Sequence, residues 1–222
     1  MLTTYEPSIF DGLNKFPVAR QCLEKHKDAL REAGAVICKH GLQQKVGLAL
    51  LHKHFDLLPN ERLIENIEDS KVYINPIIGV DDAAILPYLW KLNYTNVTQN
   101  SSWFPLEFQY KSAAQPDDIK AIESLTANSN FLEEMAIKLQ DSGVEDVFGL
   151  SILHREIVSM KEGEIIVETT DHEARSLMIT AVSTSDVQHE ELTETLWYFT
   201  TDANLSVAGE CYSHCIRHCI GC

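Results

Sequence analysis

The last twelve residues carry the densest set of metal-binding side chains in the sequence. Four cysteines and two histidines lie there: Cys211, His214, Cys215, His218, Cys219 and Cys222. Thiolate sulfur and imidazole nitrogen are ligands that zinc and other thiophilic ions prefer, and Cys-x2-Cys and Cys-x3-Cys are common chelating spacings. The sequence therefore predicts a metal site in this segment, with zinc as the first candidate.

These six residues follow one another at intervals of three and four. On an α-helix they fall within an arc of about 140°, so that all six side chains face one way. Such a stripe is about 16 Å long, which is too long for one tetrahedral zinc with Zn–S distances of about 2.3 Å. A helical tail would therefore contribute to two sites, or the chain would unwind around one ion.

Two other chemistries fit the same tail. Cys215-x3-Cys219-x2-Cys222 resembles, in its spacing, the cluster-binding motif of radical S-adenosylmethionine enzymes. The resemblance implies an iron–sulfur cluster; it covers three cysteines and implies no activity, because in that family the motif precedes most of a barrel. Haem ligation by His214 or His218 is a minor variant, and a thiol-rich helix without metal is the remaining alternative.

Cys38 and His40 are the candidates from the rest of the chain to complete a closed site. The run Ala35–Gly41 is short, apolar and ends in glycine, which predicts a strand. On a strand, residues two apart share a face, so Cys38 and His40 would lie on the same side. The alternative is a buried thiol beside an exposed loop histidine.

A second group of candidates surrounds His52 and His54. The segment from Val46 to Phe55 favours strand weakly over helix. On a strand the two imidazoles point to one side and can share a metal, whereas on a helix they lie about 200° apart.

His154 and Glu156 also share one face of a predicted strand. With a third ligand from His52 or His214 they would form the two-histidine, one-carboxylate set of non-haem iron enzymes. These residues, with His52 and His54, are candidates for a catalytic site should the protein be an enzyme.

The elements that would position these residues predict an α+β fold. An N-terminal helix and a second mid-chain helix would pack on a mainly antiparallel sheet, with the Cys/His-rich segment after it. We predict helices over 16–33, 117–125 and 130–140, and strands over 46–55, 62–67, 103–110, 148–154, 164–170, 176–182 and 192–200. Pro105 would confine its strand to an edge or to its start.

The domain organisation follows from these elements. We expect one α+β domain over 1–210, with a sub-boundary near 111–120, and a metal-binding tail over 211–222.

No Gly-rich phosphate loop, dinucleotide fingerprint or G-x-S-x-G elbow is present, and no internal repeat of fixed period is apparent.

Charge and composition narrow the classes of function. The net charge of −15 over 222 residues argues against a nucleic-acid partner, because counterion release cannot drive binding. The segment 141–210 carries three basic and fifteen acidic residues, which makes a solvated face or an acidic docking face. No apolar run is long enough to span a membrane, and residues 1–7 lack the features of a signal peptide.

We therefore expect a cytoplasmic metalloprotein whose tail binds zinc, as a structural staple or as part of an active site. The alternatives are a metal-handling or protein-interaction module and an iron–sulfur or non-haem iron enzyme. The reaction, and any protein partner or small-molecule substrate, cannot be read from the sequence.

Overall fold

The structure is a computed structural model that describes residues 5–95, 100–153, 158–188, 192–201 and 207–216. Within these residues the helices are α1 (Pro7–Asp11), α2 (Phe16–Lys25), α3 (Lys27–Lys39), α4 (Pro116–Ala127) and α5 (Ser129–Asp141). The strands are β1 (Val46–Leu50), β2 (Glu61–Glu68), β3 (Lys71–Ile78), β4 (Ile85–Thr95), β5 (Asn100–Tyr110), β6 (Phe148–Ile152), β7 (Glu164–Asp171), β8 (Ser176–Ser183), β9 (Leu192–Thr201) and β10 (Val207–Ile216).

The ten strands close into one barrel, in the order β1, β6, β4, β5, β2, β3, β8, β7, β10, β9. Most neighbours are antiparallel, but β5 runs parallel to β2 and β10 runs parallel to β7. The ring closes where β1 pairs with β9, with Leu48 opposite Trp197. The predicted α+β packing of helices on an open sheet is therefore wrong.

Strand β1 shows why the helices remain on the outside of this barrel. All five of its residues are buried, although their side chains alternate between the two faces of the sheet. One face looks into the barrel, and the other is covered by α3, which contacts β1, β9 and β10. The apolar stripe of α3, with Ala33, Gly34, Val36 and Ile37 buried, supplies that cover.

Three local predictions are corrected by the structure. The predicted strand Ala35–Gly41 is wrong, because α3 continues to Lys39 and the chain turns at Gly41, whose φ is 69°. The predicted helix over 16–33 is broken at His26, which separates α2 from α3. Strand β5 is not an edge strand, since it pairs with both β4 and β2; Pro105 lies beside an irregularity in the β4 register.

The chain contains the same unit twice. Two helices and five strands (α2, α3, β1–β5) are followed by two helices and five strands (α4, α5, β6–β10). Every pairing has its counterpart: β1–β9 matches β6–β4, β2–β5 matches β7–β10, β2–β3 matches β7–β8, and β4–β5 matches β9–β10. The β1–β6 and β3–β8 pairs join the halves, so the barrel has an approximate two-fold axis.

A short stretch of sequence retains this duplication. Gly47-Leu48-x-Leu50-Leu51-His52 corresponds to Gly149-Leu150-x-Ile152-Leu153-His154, 102 positions later. A repeat of fixed period is still not apparent, but the chain contains one long duplication. The repeat escapes detection because it is much longer than the 20–50 residues of common repeat units, and because identity survives mainly in β1 and β6.

Gly47 and Gly149 are equivalent in packing as well as in sequence. A Cβ on Gly47 would lie 2.6 Å from the Trp197 carbonyl oxygen, and a Cβ on Gly149 would lie 2.5 Å from the Trp90 carbonyl oxygen. Trp90 and Trp197 are themselves fully buried. Glycine at these two positions lets neighbouring strands approach closely on both sides of the two-fold axis.

Candidate functional site

The barrel encloses a cavity of about 110 Å³. A barrel of eight strands is just filled by its own side chains, whereas ten strands leave a wider interior. Most of the wall is aliphatic and comes from both halves of the chain: Leu50, Val72, Ile74, Ile152, Ile166 and Leu177. The interior is therefore a candidate ligand site.

Polar side chains face this cavity in two matching sets. The first half contributes Glu65 from β2, Tyr88 from β4 and Glu107 from β5; the second half contributes Glu168 from β7, Thr195 from β9 and Ser213 from β10. The strand register makes these positions equivalent, since Leu63 pairs with Glu107 in one half as Ile166 pairs with Ser213 in the other. The duplication therefore places a glutamate at the same level on each side of the cavity.

In the first half, Tyr88 and Glu107 form a close pair. The Tyr88 hydroxyl donates to Glu107 Oε2 at 2.7 Å. Burial, followed by the charges of Glu107, Glu65 and Glu168, raises the pKa of Tyr88 well above its ordinary value. The phenol is therefore a fixed proton donor at neutral pH, and three carboxylates act on it together.

In the second half, two hydroxyls hold one carboxylate oxygen. Thr195 Oγ1 donates to Glu168 Oε1 at 2.8 Å, and Ser213 Oγ donates to the same oxygen at 2.9 Å. Glu168 is 8% exposed, so these bonds replace water around a buried carboxylate.

His52, His54 and Cys215 converge beside this second set. The histidines follow β1, Cys215 lies near the end of β10, and one donor atom from each lies within 4.8 Å of the other two. The imidazole centroids of His52 and His54 are 4.5 Å apart. A Cys/His group that could hold a metal ion is thus present, and two of its members, His52 and His54, line the cavity.

The hydrogen bonds of His52 fix its tautomer. Its Nδ1 lies 2.9 Å from the Leu50 carbonyl oxygen, which can only accept, so Nδ1 carries the proton and Nε2 carries the lone pair. Nε2 is buried and has no hydrogen-bond partner among the residues that the structure describes. Burial lowers the pKa of His52, opposed by the charge of Glu168 and by the bond to Leu50, so the imidazole is neutral at pH 7.

The other two members of the group are held differently. His54 Nδ1 lies 2.7 Å from Thr170 Oγ1, which orients the ring from β7. Cys215 is completely buried, and burial, with the nearby charge of Glu168 second, raises the pKa of its thiol. In the absence of a metal, the sulfur is therefore a protonated thiol at neutral pH.

A second group of three possible metal ligands lies closer to solvent. It consists of Glu194, Cys211 and His214, with Cys211 Sγ 3.5 Å from His214 Nε2. Trp197 Nε1 donates to Glu194 Oε2 at 2.9 Å. Burial first, followed by the charges of Glu194 and Glu168, raises the pKa of Cys211. Because Glu194 is exposed, this group is more open to water than the first.

The structure divides the predicted tail cluster. Residues 207–216 form strand β10, so the question whether the tail is helical is answered in the negative for Cys211, His214 and Cys215. Cys215 joins the cavity group, whereas Cys211 and His214 belong to the second group, where register shifts between Cys211 and His214 allow residues three apart to meet. His218, Cys219 and Cys222 lie outside the described residues, and so do two of the three cysteines of the cluster motif.

The other candidates are placed as follows. His52 and His54 lie side by side, as expected for residues two apart on extended backbone, and their catalytic role stays a prediction. His154 and Glu156 lie outside the described residues. Cys38 and His40 are at the end of α3; among the described residues they belong to neither three-ligand group, and His40 Nε2 bonds instead to Glu134 Oε2 at 2.9 Å.

The three cavity glutamates are not among the residues predicted from the sequence. Each occupies an inward position on its strand: Glu65 follows the buried Leu63 by two residues, and Glu168 follows the buried Ile166 by two. A glutamate on the apolar side of an alternating strand is the one signal that could have found them.

Comparison with known proteins identifies no relative. No family model, curated protein or solved structure matches the chain. Among the described residues, no helix combines the length and apolar character needed to cross a membrane.

Proposed function

We propose that the protein binds a thiophilic divalent ion, zinc first among candidates, through His52, His54 and Cys215. The observation that carries the proposal concerns the Nε2 atom of His52. It is buried, has no hydrogen-bond partner within the described part of the chain, and is fixed as a lone-pair donor by the bond from Nδ1 to Leu50. Metal-ligating histidines commonly donate their other ring N–H to a carbonyl or carboxylate in this way.

The donor set favours zinc over iron. Two imidazoles with one thiolate match the soft ligands of zinc sites, whereas a non-haem iron site takes a carboxylate as its third ligand. Free thiols persist best in a reducing compartment, so the proposal includes a cytoplasmic location. The iron–sulfur alternative would depend on Cys219 and Cys222.

The three ligands found among the described residues leave a fourth coordination position. Structural zinc sites are closed by four protein ligands, while catalytic or substrate-binding sites keep one position for water or another molecule. His52 and His54 line the cavity, so an open position beside them favours a functional centre over a structural staple.

Elemental analysis of purified, reduced protein tests the proposal. We expect about one equivalent of zinc in the wild type and less than about a tenth in Cys215→Ser and in His52→Ala, because losing one of three donors opens the site to water. Cys38→Ser is the matched control, since it removes a thiol that lies in neither three-ligand group.

Three outcomes would overturn the proposal. Full zinc occupancy in both Cys215→Ser and His52→Ala would show that neither residue is a ligand. Loss of metal in Cys211→Ser alone would assign the ion to the Glu194, Cys211 and His214 group. Bound iron with sulfide in place of zinc would support the cluster alternative.

A further inference from the structure

We propose that Glu194, Cys211 and His214 form a second metal site, on the outer face of the barrel wall. One donor atom from each of the three residues lies within 4.8 Å of the other two. Thiolate sulfur, imidazole nitrogen and carboxylate oxygen are the donors that zinc takes from proteins. This site is separate from the one at His52 and does not depend on it.

Strand pairing brings two of the three ligands together. His214 on β10 lies directly opposite Glu194 on β9. Residues that are directly opposite in antiparallel strands share a face of the sheet, with Cβ atoms about 4.5–5.5 Å apart. Their neighbours Thr195 and Ser213 face the cavity, so Glu194 and His214 face outward.

An irregularity in the same strand pair brings in Cys211. The register shifts between Cys211 and His214, and two consecutive residues of β10, Tyr212 and Ser213, both line the cavity. Cys211 and His214 flank these two inward residues and therefore share the outer face, although they are three positions apart. Bulges of this kind re-aim side chains and are over-represented next to functional sites.

The hydrogen bonds of the group orient its side chains for an ion. Trp197 Nε1 donates to Glu194 Oε2 at 2.9 Å, and this bond fixes the carboxylate while its other oxygen can ligate a metal. Carboxylates that bind metals are commonly hydrogen-bonded in this way. Cys211 Sγ donates to the Ser213 carbonyl oxygen at 3.1 Å, and the proton of this bond is the one that a metal would displace.

The sulfur and the imidazole already have the spacing of two ligands on one ion. Cys211 Sγ lies 3.5 Å from His214 Nε2 and 3.8 Å from Nδ1. In a tetrahedral site with Zn–S distances of about 2.3 Å and Zn–N distances of about 2.0–2.1 Å, the sulfur and the nitrogen are about 3.5 Å apart. A rotation of the imidazole ring is therefore enough to aim a nitrogen at the ion.

The ion at this site should exchange more readily than the one at the cavity group. Glu194 is exposed, whereas Cys215 of the cavity group is completely buried. A carboxylate also takes the place of one imidazole, and the thiol must give up its bond to Ser213. We expect zinc to bind here at least about a hundredfold more weakly, so that the ion is lost during purification and returns with excess zinc.

The indole N–H of Trp197 reports directly on the site, because it bonds to one of the proposed ligands. The experiment titrates zinc chloride into reduced protein and follows the indole resonances by ¹H–¹⁵N NMR, with that of Trp197 assigned by its loss in Trp197→Phe. We expect the Trp197 resonance to move saturably as a second equivalent of zinc binds.

Substitution of each ligand should affect this shift in a predictable way. Cys211→Ser and His214→Ala should each abolish it, because two protein ligands remain. Glu194→Gln should weaken zinc binding about tenfold, since it removes the charge of an exposed ligand, and it is the second variant should Cys211→Ser fail to fold. Cys38→Ser is the matched control, because it removes a thiol outside both three-ligand groups.

Cys215→Ser separates this inference from the proposed function. This variant should lose the tightly bound zinc and still show the Trp197 shift, now with about one equivalent of added zinc. Three results would overturn the second site: a Trp197 resonance that excess zinc does not move, wild-type zinc affinity in Glu194→Gln, or a shift that is lost when Cys219 and Cys222 are replaced by serine. None of these results would affect zinc bound through Cys215.

Discussion

His52 and Cys215 come from the first and second halves of the duplicated chain, yet their donor atoms lie within 4.8 Å of each other. The contact is made by barrel closure, which sets β1 beside β9 and β9 beside β10. A ligand shared by these two residues would cross-link the seam at which the ring closes.

Zinc should therefore stabilise the folded barrel. Added to metal-free protein at about 100 times its dissociation constant, zinc should increase the free energy of unfolding by about 2.7 kcal/mol. His52→Ala should abolish this increase while Cys38→Ser retains it, as measured by urea denaturation with and without the ion. An equal increase in wild type and His52→Ala would contradict a site at His52.

Removing residues 217–222 should leave the zinc stoichiometry unchanged. The proposed ligands precede the deletion, whereas His218, Cys219 and Cys222 are removed with it. The check is zinc content per chain in the shortened protein, with Cys215→Ser in the same background as the negative control. Loss of metal from the shortened chain would return the site to the tail motif.

Gly47→Ala and Gly149→Ala should each destabilise the protein by about 1–3 kcal/mol, because each new methyl would overlap a tryptophan carbonyl oxygen. The two losses should be similar, since the positions are equivalent under the two-fold axis. Gly12→Ala is the control: its φ is −72° and its nearest contact would be 3.4 Å. Denaturant titration measures all three, and wild-type stability in either barrel variant would refute the close strand approach.

The ion pair between Glu61 and Arg175 should make the free energy of unfolding depend on pH in the acid range. The guanidinium bonds to Glu61 Oε1 at 2.9 Å and Oε2 at 2.5 Å, and these bonds hold the pKa of Glu61 below its ordinary value. A lowered folded-state pKa means that the stabilisation is present above the unfolded pKa of about 4.3 and is lost as the pH falls through the folded value.

Glu61→Gln should therefore cost about 2 kcal/mol at pH 7 and much less in acid, below the folded-state pKa of Glu61. Unfolding free energies measured across this pH range test the sign. Glu24→Gln, which removes an exposed partner of Lys27, should behave like the wild type throughout. A loss for Glu61→Gln that is the same at both ends of the range would assign the effect to packing instead.

Local sequence pattern predicts much of the secondary structure. The strands β6 to β9 and helices α4 and α5 are close to the predicted ranges, because each has a clear period and a turn or cap at its end. The end of α3 is missed because Val36 and Ile37 favour strand, and only the barrel surface beneath them stabilises helix. Tertiary packing decides such cases.

Only part of the candidate site can be predicted from the sequence, because only part of it depends on local backbone geometry. His52 and His54 are neighbours in sequence, so their common direction follows from local backbone. Cys215 reaches them only through closure of a ten-stranded ring, which no short-range spacing encodes. The tail spacing of three and four residues matches a helix, but β10 achieves the Cys211 to His214 contact with an irregular register.

The two halves of the barrel carry different side chains at one pair of equivalent positions. Cys215 pairs with Glu168 in the second half, and the residue that pairs with Glu65 in the first half is Gln109. One repeat thus carries a sulfur donor where its twin carries an amide, while both keep the glutamate. A protein made of two copies can change one of them and keep the architecture of both, so its chemistry can diverge at a single position without a new fold.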